Sequence, residues 1–193
     1  FLHPTQSRTQ TVDLHFGIPA RVSREDVNRE IFLERWAGMR DTREFFTLLH
    51  DFQLSRQDAF LLGERRFTQR LAPELLYDVL RSFVRRKIPL VMLVGHSACV
   101  QIFRGVLKRI ADWQSDVTAT AAQVQARFRK AAIATAWLVD KPTREGAIRS
   151  LELFDRNDLP VASLTGFGGG RFLGPTHWEA LLSPLRQPEQ VAS

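Results

Sequence analysis

The apolar positions in the first part of the chain recur at the three- and four-residue spacing of amphipathic helices. Ser23 and Asp26 have the spacing of a capping box and predict the start of a helix. That helix would bury an apolar stripe formed by Val27, Ile31, Phe32, Trp36 and Met39. A second pair with capping spacing predicts a short helix over residues 43–52, whereas residues 55–63 fit a helix or a strand.

A further helix is predicted after Pro73, which suits a first helical turn because its missing N–H would have no partner there. Its apolar positions recur at helical spacing, and the basic run 85–87 follows them. Positive charge is favourable at the C-terminal end of a helix, so this run is the expected end of the element. The apolar positions are Leu75, Leu76, Val79, Leu80 and Phe83.

From Ile88 onward the apolar period changes to two, which is typical of strands. The strands follow one another with short turns and no helix between them, so a mainly antiparallel sheet is expected. Residues 155–158 form a predicted hairpin turn, and Thr176 with Glu179 predicts a last helix. The predicted strands are 88–95, 100–106, 124–128, 133–139, 148–154 and 160–164.

These elements predict an α+β fold, with a large mainly antiparallel sheet flanked by N-terminal helices and a C-terminal helix. We expect a polar N-terminal segment over residues 1–22, a single domain over 23–185 and a tail over 186–193. The 193 residues suit one domain that buries its core without a disulfide or metal. Because the chain starts at Phe1 rather than methionine, we expect that residues precede it.

The cysteine count, the hydropathy and the net charge exclude several classes of protein. The single cysteine, Cys99, excludes an internal disulfide and every metal motif built on paired cysteines, and it favours a reducing, cytoplasmic location. No window approaches the roughly 18 apolar residues of a membrane span. The net charge of +6 attracts anions. No motif of the common nucleic-acid modules occurs, so the expected anion is not a nucleic acid.

Two local motifs resemble a catalytic motif and a phosphate-binding motif, and each also fits an ordinary turn or loop. Ser97, within Gly-His-Ser-Ala-Cys after an apolar strand, resembles a hydrolase nucleophile elbow, with Asp140 or Asp155 and then His177 completing the order. An elbow requires a helix after the serine, yet the following residues alternate like a strand. The glycine-rich run 166–170 could cradle phosphate only if a helix followed, so a flexible loop is predicted there.

Several segments together resemble the bacterial haem-utilisation family called HemS, HmuS or ChuS, and its shorter relatives ChuX and HutX. The order and spacing match the C-terminal repeat of the long members over about residues 29–185. The segments are LERWAGMRDTREFFTLL (33–49), SRQDAFLLG (55–63), VGHSACVQIFRG (94–105), IATAWLVDKPTREGAIRSLELFD (133–155) and HWEALL (177–182).

The resemblance implies a cytoplasmic haem-binding protein of iron acquisition. The long members have two similar halves with haem between them, and the short relatives form homodimers that reproduce this arrangement. A homodimer or a second similar domain is therefore expected here. Some members open the porphyrin and others carry haem, so the resemblance leaves enzymatic haem degradation open.

The resemblance also brings two departures from the family pattern. Arg43 occupies the position of the iron-binding histidine, and Arg127 falls where a second family histidine is expected. A guanidinium stays protonated and is not an iron ligand. His96 lies near the haem-binding histidine of the short relatives, and its neutral imidazole would suit haem iron.

Arginine forks match carboxylates, so basic side chains are the candidate partners of the two haem propionates. Three functional classes remain open. They are a haem or anionic-tetrapyrrole protein, a relative that has lost haem binding and serves as an interaction or regulatory domain, and a serine hydrolase that uses Ser97. The candidate propionate partners are Arg43, Arg127, Lys141 and Arg171.

Overall fold

Four α-helices form the N-terminal part of the fold in a computed structural model, which describes residues 22–96, 99–122, 124–168, 171–172 and 180–181. Short 3-10 turns occur at Arg24–Asp26, Pro73–Leu75 and Lys130–Ala132. The helices are α1 (Arg29–Ala37), α2 (Glu44–Phe52), α3 (Arg56–Leu62) and α4 (Leu76–Arg86).

The prediction that a helix begins at Ser23 was wrong. The Ser23 hydroxyl accepts only a long bond of 3.4 Å from the Glu25 N–H and caps a 3-10 turn. Val27 is extended, and α1 begins after Asn28. The Asn28 side-chain oxygen accepts hydrogen bonds from the N–H groups of Glu30 and Ile31, both at 3.1 Å. Asn28 thus satisfies two free donors of the first turn, which makes it the stronger cap.

The predictions of a helix over 43–52 and of a helix after Pro73 are confirmed in substance. Helix α2 ends at the predicted Phe52, and Pro73 opens a 3-10 turn that leads into α4. Residues 55–63, which fitted a helix or a strand, form α3. The hydroxyl of Ser55 accepts a 3.1 Å bond from the Asp58 N–H, and this cap favours the helix.

A large sheet of seven strands follows, in the order β1-β7-β8-β9-β2-β3, with β10 paired to β9. Every pair in it is antiparallel, which confirms the predicted sheet type. Strands β4, β5 and β6 form a separate antiparallel sheet. The strands are β1 (Thr68–Leu71), β2 (Pro89–His96), β3 (Cys99–Val106), β4 (Arg109–Asp112), β5 (Asp116–Thr120), β6 (Gln125–Arg129), β7 (Thr135–Thr143), β8 (Gly146–Phe154), β9 (Pro160–Gly168) and β10 (Arg171–Phe172).

Four of these strands, β1, β4, β5 and the two-residue β10, were not predicted. Strand β1 reads Thr-Gln-Arg-Leu, and β4 and β5 are short and carry few large apolar residues. Their pairing partners supply the stability that their own sequences do not indicate. Strand β1, for example, pairs along β7 from Thr68 opposite Val139 to Leu71 opposite Ala136.

The large sheet has a different neighbour on each face. On one face, α1, α2 and α3 pack against Trp137, Val139 and Phe154 of β7 and β8. On the other face, the core joins α4 and the small sheet to residues such as Leu138 and Leu151. Since successive residues of a strand point to opposite faces, both faces of β7 and β8 are apolar.

The three N-terminal helices cover only part of their face. Residues of β8, β9, β2 and β3 lie side by side in register, with Glu152 opposite Ser163, Ser163 opposite Leu93, and Leu93 opposite Ile102. Glu152 is 1% exposed, whereas Ile102 is 60% exposed. The face therefore opens from β9 toward the edge strand β3, and the boundary between its covered and open parts positions the site.

Only part of the region covered by the C-terminal predictions lies within the described residues. The turn at 155–158 is present, with the Asp155 carboxylate accepting from the N–H groups of Asn157 and Leu159. The predicted glycine-rich loop is partly wrong, because Gly166–Gly168 continue β9 and Gly168 pairs with Arg171. Ala180 and Leu181 are helical, and the rest of the predicted last helix lies outside the described residues.

Candidate functional site

A cleft of about 170 Å³ lies where α2 and α3 meet strands β7, β8, β9 and β2. One side is formed by the helices and the other by the open part of the sheet. Its floor carries charged side chains, and most of its wall is apolar. The lining residues are Phe46, Arg56, Leu93, Gly95, Lys141, Glu152, Pro160, Val161, Ala162 and Ser163.

The floor of this cleft is a buried ion pair. The Lys141 ammonium donates to Glu152 Oε1 at 2.7 Å, and the Ser150 hydroxyl donates to the same oxygen at 2.8 Å. An Arg56 Nη lies 3.6 Å from Glu152 Oε2. The side chains of Lys141 and Glu152 are 10% and 1% exposed. Register explains the pair, because both residues lie on the helix-covered face of adjacent strands.

Burial and charge act in opposite directions on Glu152. Burial by itself would raise the pKa of this carboxyl, but the charges of Lys141 and Arg56 and the hydrogen bonds from Lys141 and Ser150 lower the pKa to about 2. Burial lowers the pKa of the Lys141 ammonium, and Glu152 opposes that shift. Glu152 is therefore an anion at neutral pH.

The buried charges do not balance. Lys141 and Arg56 bring two positive charges against the single negative charge of Glu152. Glu152 Oε2 and Arg56 Nε are buried without a hydrogen-bond partner. The carboxylate oxygen would need a donor, whereas the Arg56 Nε–H needs an acceptor. The unpartnered Arg56 donor and the excess positive charge therefore favour an additional group with acceptor oxygens beside Arg56.

Aromatic rings hold the two cations in place. The Arg56 guanidinium lies 5.2 Å from the centroid of the Phe46 ring, and Lys141 Nζ lies 5.3 Å from the centroid of the Phe45 ring. Both rings belong to α2. Cation–π contacts of this kind stabilise a cation that has lost part of its water. Helix α2 therefore fixes both the apolar wall and the positions of the charges.

Arg43 is close in sequence to the cleft residue Phe46 but is not among the residues that line the cleft. It precedes α2 as the capping residue, and its side chain is 86% exposed and paired with Asp41 at 3.1 Å. That hydrogen bond raises the pKa of Arg43, which keeps its charge. Positions three apart lie on the same side of a helix, so Arg43 lies one turn from Phe46. His50, one further turn along, is also exposed.

His96 ends β2 directly after the cleft residue Gly95, and its backbone pairs with Cys99 of β3. Its side chain lies outside the described part of the chain, and so does Ser97. The strand after Ser97 is β3, antiparallel to β2. A nucleophile elbow requires a helix at that point, so the fold does not provide the elbow that the hydrolase alternative needs.

Two predicted anion partners lie away from the cleft. Arg127 belongs to β6 of the small sheet, where its guanidinium donates to Asp116 at 2.6 Å. The backbone of Arg171 pairs with Gly168 at the end of β9 farthest from Pro160, and its side chain lies outside the described residues. Lys141 is thus the predicted residue that the structure places inside the cleft, and Arg43 lies one helical turn before the cleft residue Phe46.

Sequence reasoning missed Arg56, Glu152 and Phe46. Glu152 carried a signal, because it is a charged residue between Leu151 and Leu153 in the predicted strand 148–154. A buried carboxylate needs a cationic partner, and Lys141 on the preceding strand was available to serve as one. Nothing in the local sequence indicated that Arg56 would reach across from α3.

Within the described ranges, no helix is long and apolar enough to cross a membrane. The same residues contain no group of three or more His, Cys, Asp or Glu side chains that could hold a metal ion. The described lining of the cleft offers charged and apolar groups, with no imidazole or thiolate among them. These groups are chemically compatible with the acidic edge and the apolar faces of a tetrapyrrole.

Comparison with known proteins agrees with this fit. The chain is 29% identical over 131 residues to the hemin transport protein HemS of Yersinia enterocolitica, which is 68% of this chain and 38% of that protein. Its fold matches apo-PhuS, a heme-binding protein from Pseudomonas aeruginosa, with a TM-score of 0.78 at 23% identity, over 86% of this chain and 49% of that one.

The structure of ChuS, an E. coli heme oxygenase, matches with a TM-score of 0.74 at 28% identity, over 82% of this chain and 49% of the ChuS chain. The chain thus spans about half the length of ChuS and PhuS. Residues 53–185 match the haemin-degrading HemS/ChuX domain, which is more than half of the sequence. The chain therefore belongs to the HemS/ChuX domain family, as its sequence segments predicted.

Proposed function

We propose that the chain binds haem as its cargo, with the propionate edge in the cleft between α2 and strands β9 and β2. The observation that carries this proposal is the excess positive charge of Lys141 and Arg56 at the floor of a largely apolar cleft. A haem propionate would supply acceptor oxygens to Arg56 Nε and to Lys141. The apolar wall would pack on the porphyrin, where burial contributes about 25 cal/mol per Å².

The small volume of the cleft supports the proposal that a second protein surface also contacts the haem. Its 170 Å³ is below the roughly 300–1,000 Å³ of a usual small-molecule pocket, so it takes one edge of a haem. The rest would lie on the open face of β2 and β3, where Ile102 and Val106 are exposed. We infer that a second copy of this chain, or a second similar domain, covers the other side of the haem.

His96 is the proposed iron ligand. It directly follows the cleft residue Gly95, and a neutral imidazole is a usual haem ligand. Arg43, at the family histidine position, is proposed to attract a propionate, because a guanidinium matches a carboxylate and does not ligate iron. Bound haem would supply an iron centre, and these residues would hold and orient it.

Titration with ferric haem, followed by visible absorption, tests this proposal. We expect a saturable, sharpened Soret band in the parent protein and a shifted or weakened band in His96→Ala, since the axial ligand sets the electronic state of the iron. His50→Ala is the matched control, because His50 is an exposed histidine outside the cleft lining and should leave the band unchanged.

Three other outcomes would contradict parts of the proposal. A saturable band that His96→Ala leaves unchanged would retain haem binding and remove His96 as the ligand. No saturable change in the parent would contradict haem binding itself. Light scattering on the loaded protein tests the second copy, for which we expect twice the 22.1 kDa of one chain, and a strict monomer at high concentration would remove the homodimer.

The relatives carry two functional descriptions, hemin transport protein and heme oxygenase. We infer a haem carrier or a haem-degrading factor, because the described cleft residues would bind and orient haem in either role. The single cysteine, Cys99, favours a reducing, cytoplasmic location. The second candidate is a relative without haem binding that acts as an interaction or regulatory domain. The pairing of Arg43 with Asp41, where the family has a histidine, favours this candidate.

A further inference from the structure

A second cleft, of about 350 Å³, lies at the opposite edge of the large sheet from β3. It is distinct from the first cleft. Asp140 and Arg149 alternate along β7 and β8 with Lys141 and Ser150, so they lie on the other face of the sheet. Arg70 of the edge strand β1 is paired with Trp137 and lies on the helix-covered face, so the second cleft extends around the sheet edge. The lining residues are Glu64, Arg65, Arg66, Phe67, Thr68, Gln69, Arg70, Leu138, Asp140 and Arg149.

Four arginines line this cleft against two acidic residues. Arg149 and Asp140 form a two-pronged ion pair across β7 and β8, so their charges cancel. Among the described residues, no carboxylate forms an ion pair with Arg65, Arg66 or Arg70. After the remaining negative charge of Glu64 is counted, the cleft carries a net charge of about +2 at neutral pH.

The backbone that presents these arginines is fixed by hydrogen bonds. The Gly63 carbonyl accepts from the N–H groups of Arg66 and Phe67 at 3.1 and 2.8 Å, and Arg65 N–H donates to the Thr68 carbonyl at 3.0 Å. Arg65 itself has a positive φ of 69°. The segment is tied to β7 because Asp140 N–H donates to the Phe67 carbonyl at 2.7 Å. Charges on a fixed turn lose less entropy when they bind a ligand.

The two neighbouring aromatic rings orient two of the free guanidinium groups. Arg66 lies 5.2 Å from the centroid of the Phe67 ring, and Arg70 lies 5.8 Å from that of Trp137. These ring contacts place no acceptor oxygen on either guanidinium, so its N–H donors remain available to a ligand. The edge donors of several arginines around one cleft suit a compact anion with several oxygens.

We propose that this cleft is a binding site for a multivalent phosphate anion. Guanidinium forks match phosphate oxygens in pairs, and a net charge of about +2 calls for a ligand with at least two negative charges. Haem does not fit this description, because the lining is mainly charged and offers no broad apolar wall. The proposal is independent of haem binding and involves none of the residues of the first cleft.

Isothermal titration calorimetry with tripolyphosphate tests the proposal on the full chain at 150 mM salt. We expect saturable binding of one anion per chain, and binding at least about tenfold weaker in Arg66→Gln/Arg70→Gln, a loss of about 1.4 kcal/mol. The control is Arg81→Gln/Arg85→Gln on α4, which removes two exposed arginines and the same charge outside this cleft. We expect its affinity to stay within about twofold of the parent.

Three results would contradict the proposed phosphate site. Equal losses in the two double variants would mean that the whole basic surface attracts the anion without a site. No saturable binding by the parent would remove the site, and binding of a short RNA but not of tripolyphosphate would assign the surface to nucleic acid instead. An unchanged unfolding midpoint in urea shows that each variant is folded, so a loss of affinity cannot be attributed to misfolding.

Discussion

Replacing Glu152 by Gln is expected to lower the free energy of unfolding by about 3–5 kcal/mol, because the change leaves the charges of Lys141 and Arg56 buried without an anion. The variant keeps the shape of the side chain and an oxygen that can accept from Ser150. Urea unfolding followed by tryptophan fluorescence measures the loss. Trp36 and Trp137 are both buried, so their emission reports the folded core.

Two companion variants make this prediction specific. Glu145→Gln removes an exposed carboxylate from the turn between β7 and β8 and should change stability by less than about 0.5 kcal/mol. Lys141→Met/Glu152→Leu replaces the pair by apolar groups and should be more stable than Glu152→Gln. A Glu152→Gln variant as stable as the parent would show that the ion pair between Lys141 and Glu152 does not stabilise the fold.

The same pair predicts a dependence on pH. The folded pKa of Glu152, about 2, lies below the ordinary value of 4.5 for an unfolded glutamate. Its stabilising contribution is therefore complete above about pH 4.5 and is lost as the pH falls toward 2. Glu152→Gln should lack this part of the loss of stability at low pH. An identical dependence of stability on pH in the parent and the variant would contradict the lowered pKa of Glu152.

Replacing Phe60 by Ala is expected to cost about 3–5 kcal/mol, since it removes the central ring of a closely packed aromatic cluster. Phe60 of α3 is fully buried. Its ring centroid lies 5.8 Å from those of Phe45 and Phe154 and 6.0 Å from that of Trp137. The ring thus connects the helix layer to β7 and β8, and its loss would leave a cavity between helices and sheet.

Urea unfolding also measures this second loss. Ile31→Ala on α1 is the control, because Ile31 is 52% exposed and its truncation leaves no cavity. We expect a change of less than about 0.5 kcal/mol in that control. A cost below about 1 kcal/mol for Phe60→Ala would mean that the helices collapse onto the sheet without strain, contrary to the packing described above.

Much of the fold could be predicted because long periodic segments carry their own signal. The stripe of α4 and the alternation in β2, β8 and β9 identify these elements and their antiparallel order. Strand β1 could not be predicted, since its polar sequence is a strand only because β7 supplies the partner. The start of α1 was misplaced because two potential caps, Ser23 and Asn28, compete and only the geometry separates them.

The site was predicted less well, for a physical reason. The family segment identified Lys141, and register with β8 then decided that it faces Glu152 rather than solvent. Arg56 reaches the same carboxylate from a helix 96 positions earlier in the chain, a contact that no local pattern encodes. Arg127 was aligned with a family histidine, yet its strand belongs to the small sheet.

The most direct test of the central claim, that haem binds in the cleft beside Lys141, is hydrogen–deuterium exchange with and without ferric haem. We predict slower exchange in α2 and in the parts of β2 and β9 that line the cleft, residues 93–95 and 160–163, with no change in the small sheet of β4, β5 and β6. Saturable haem binding that protects the small sheet and leaves β2, β9 and α2 unchanged would contradict the account.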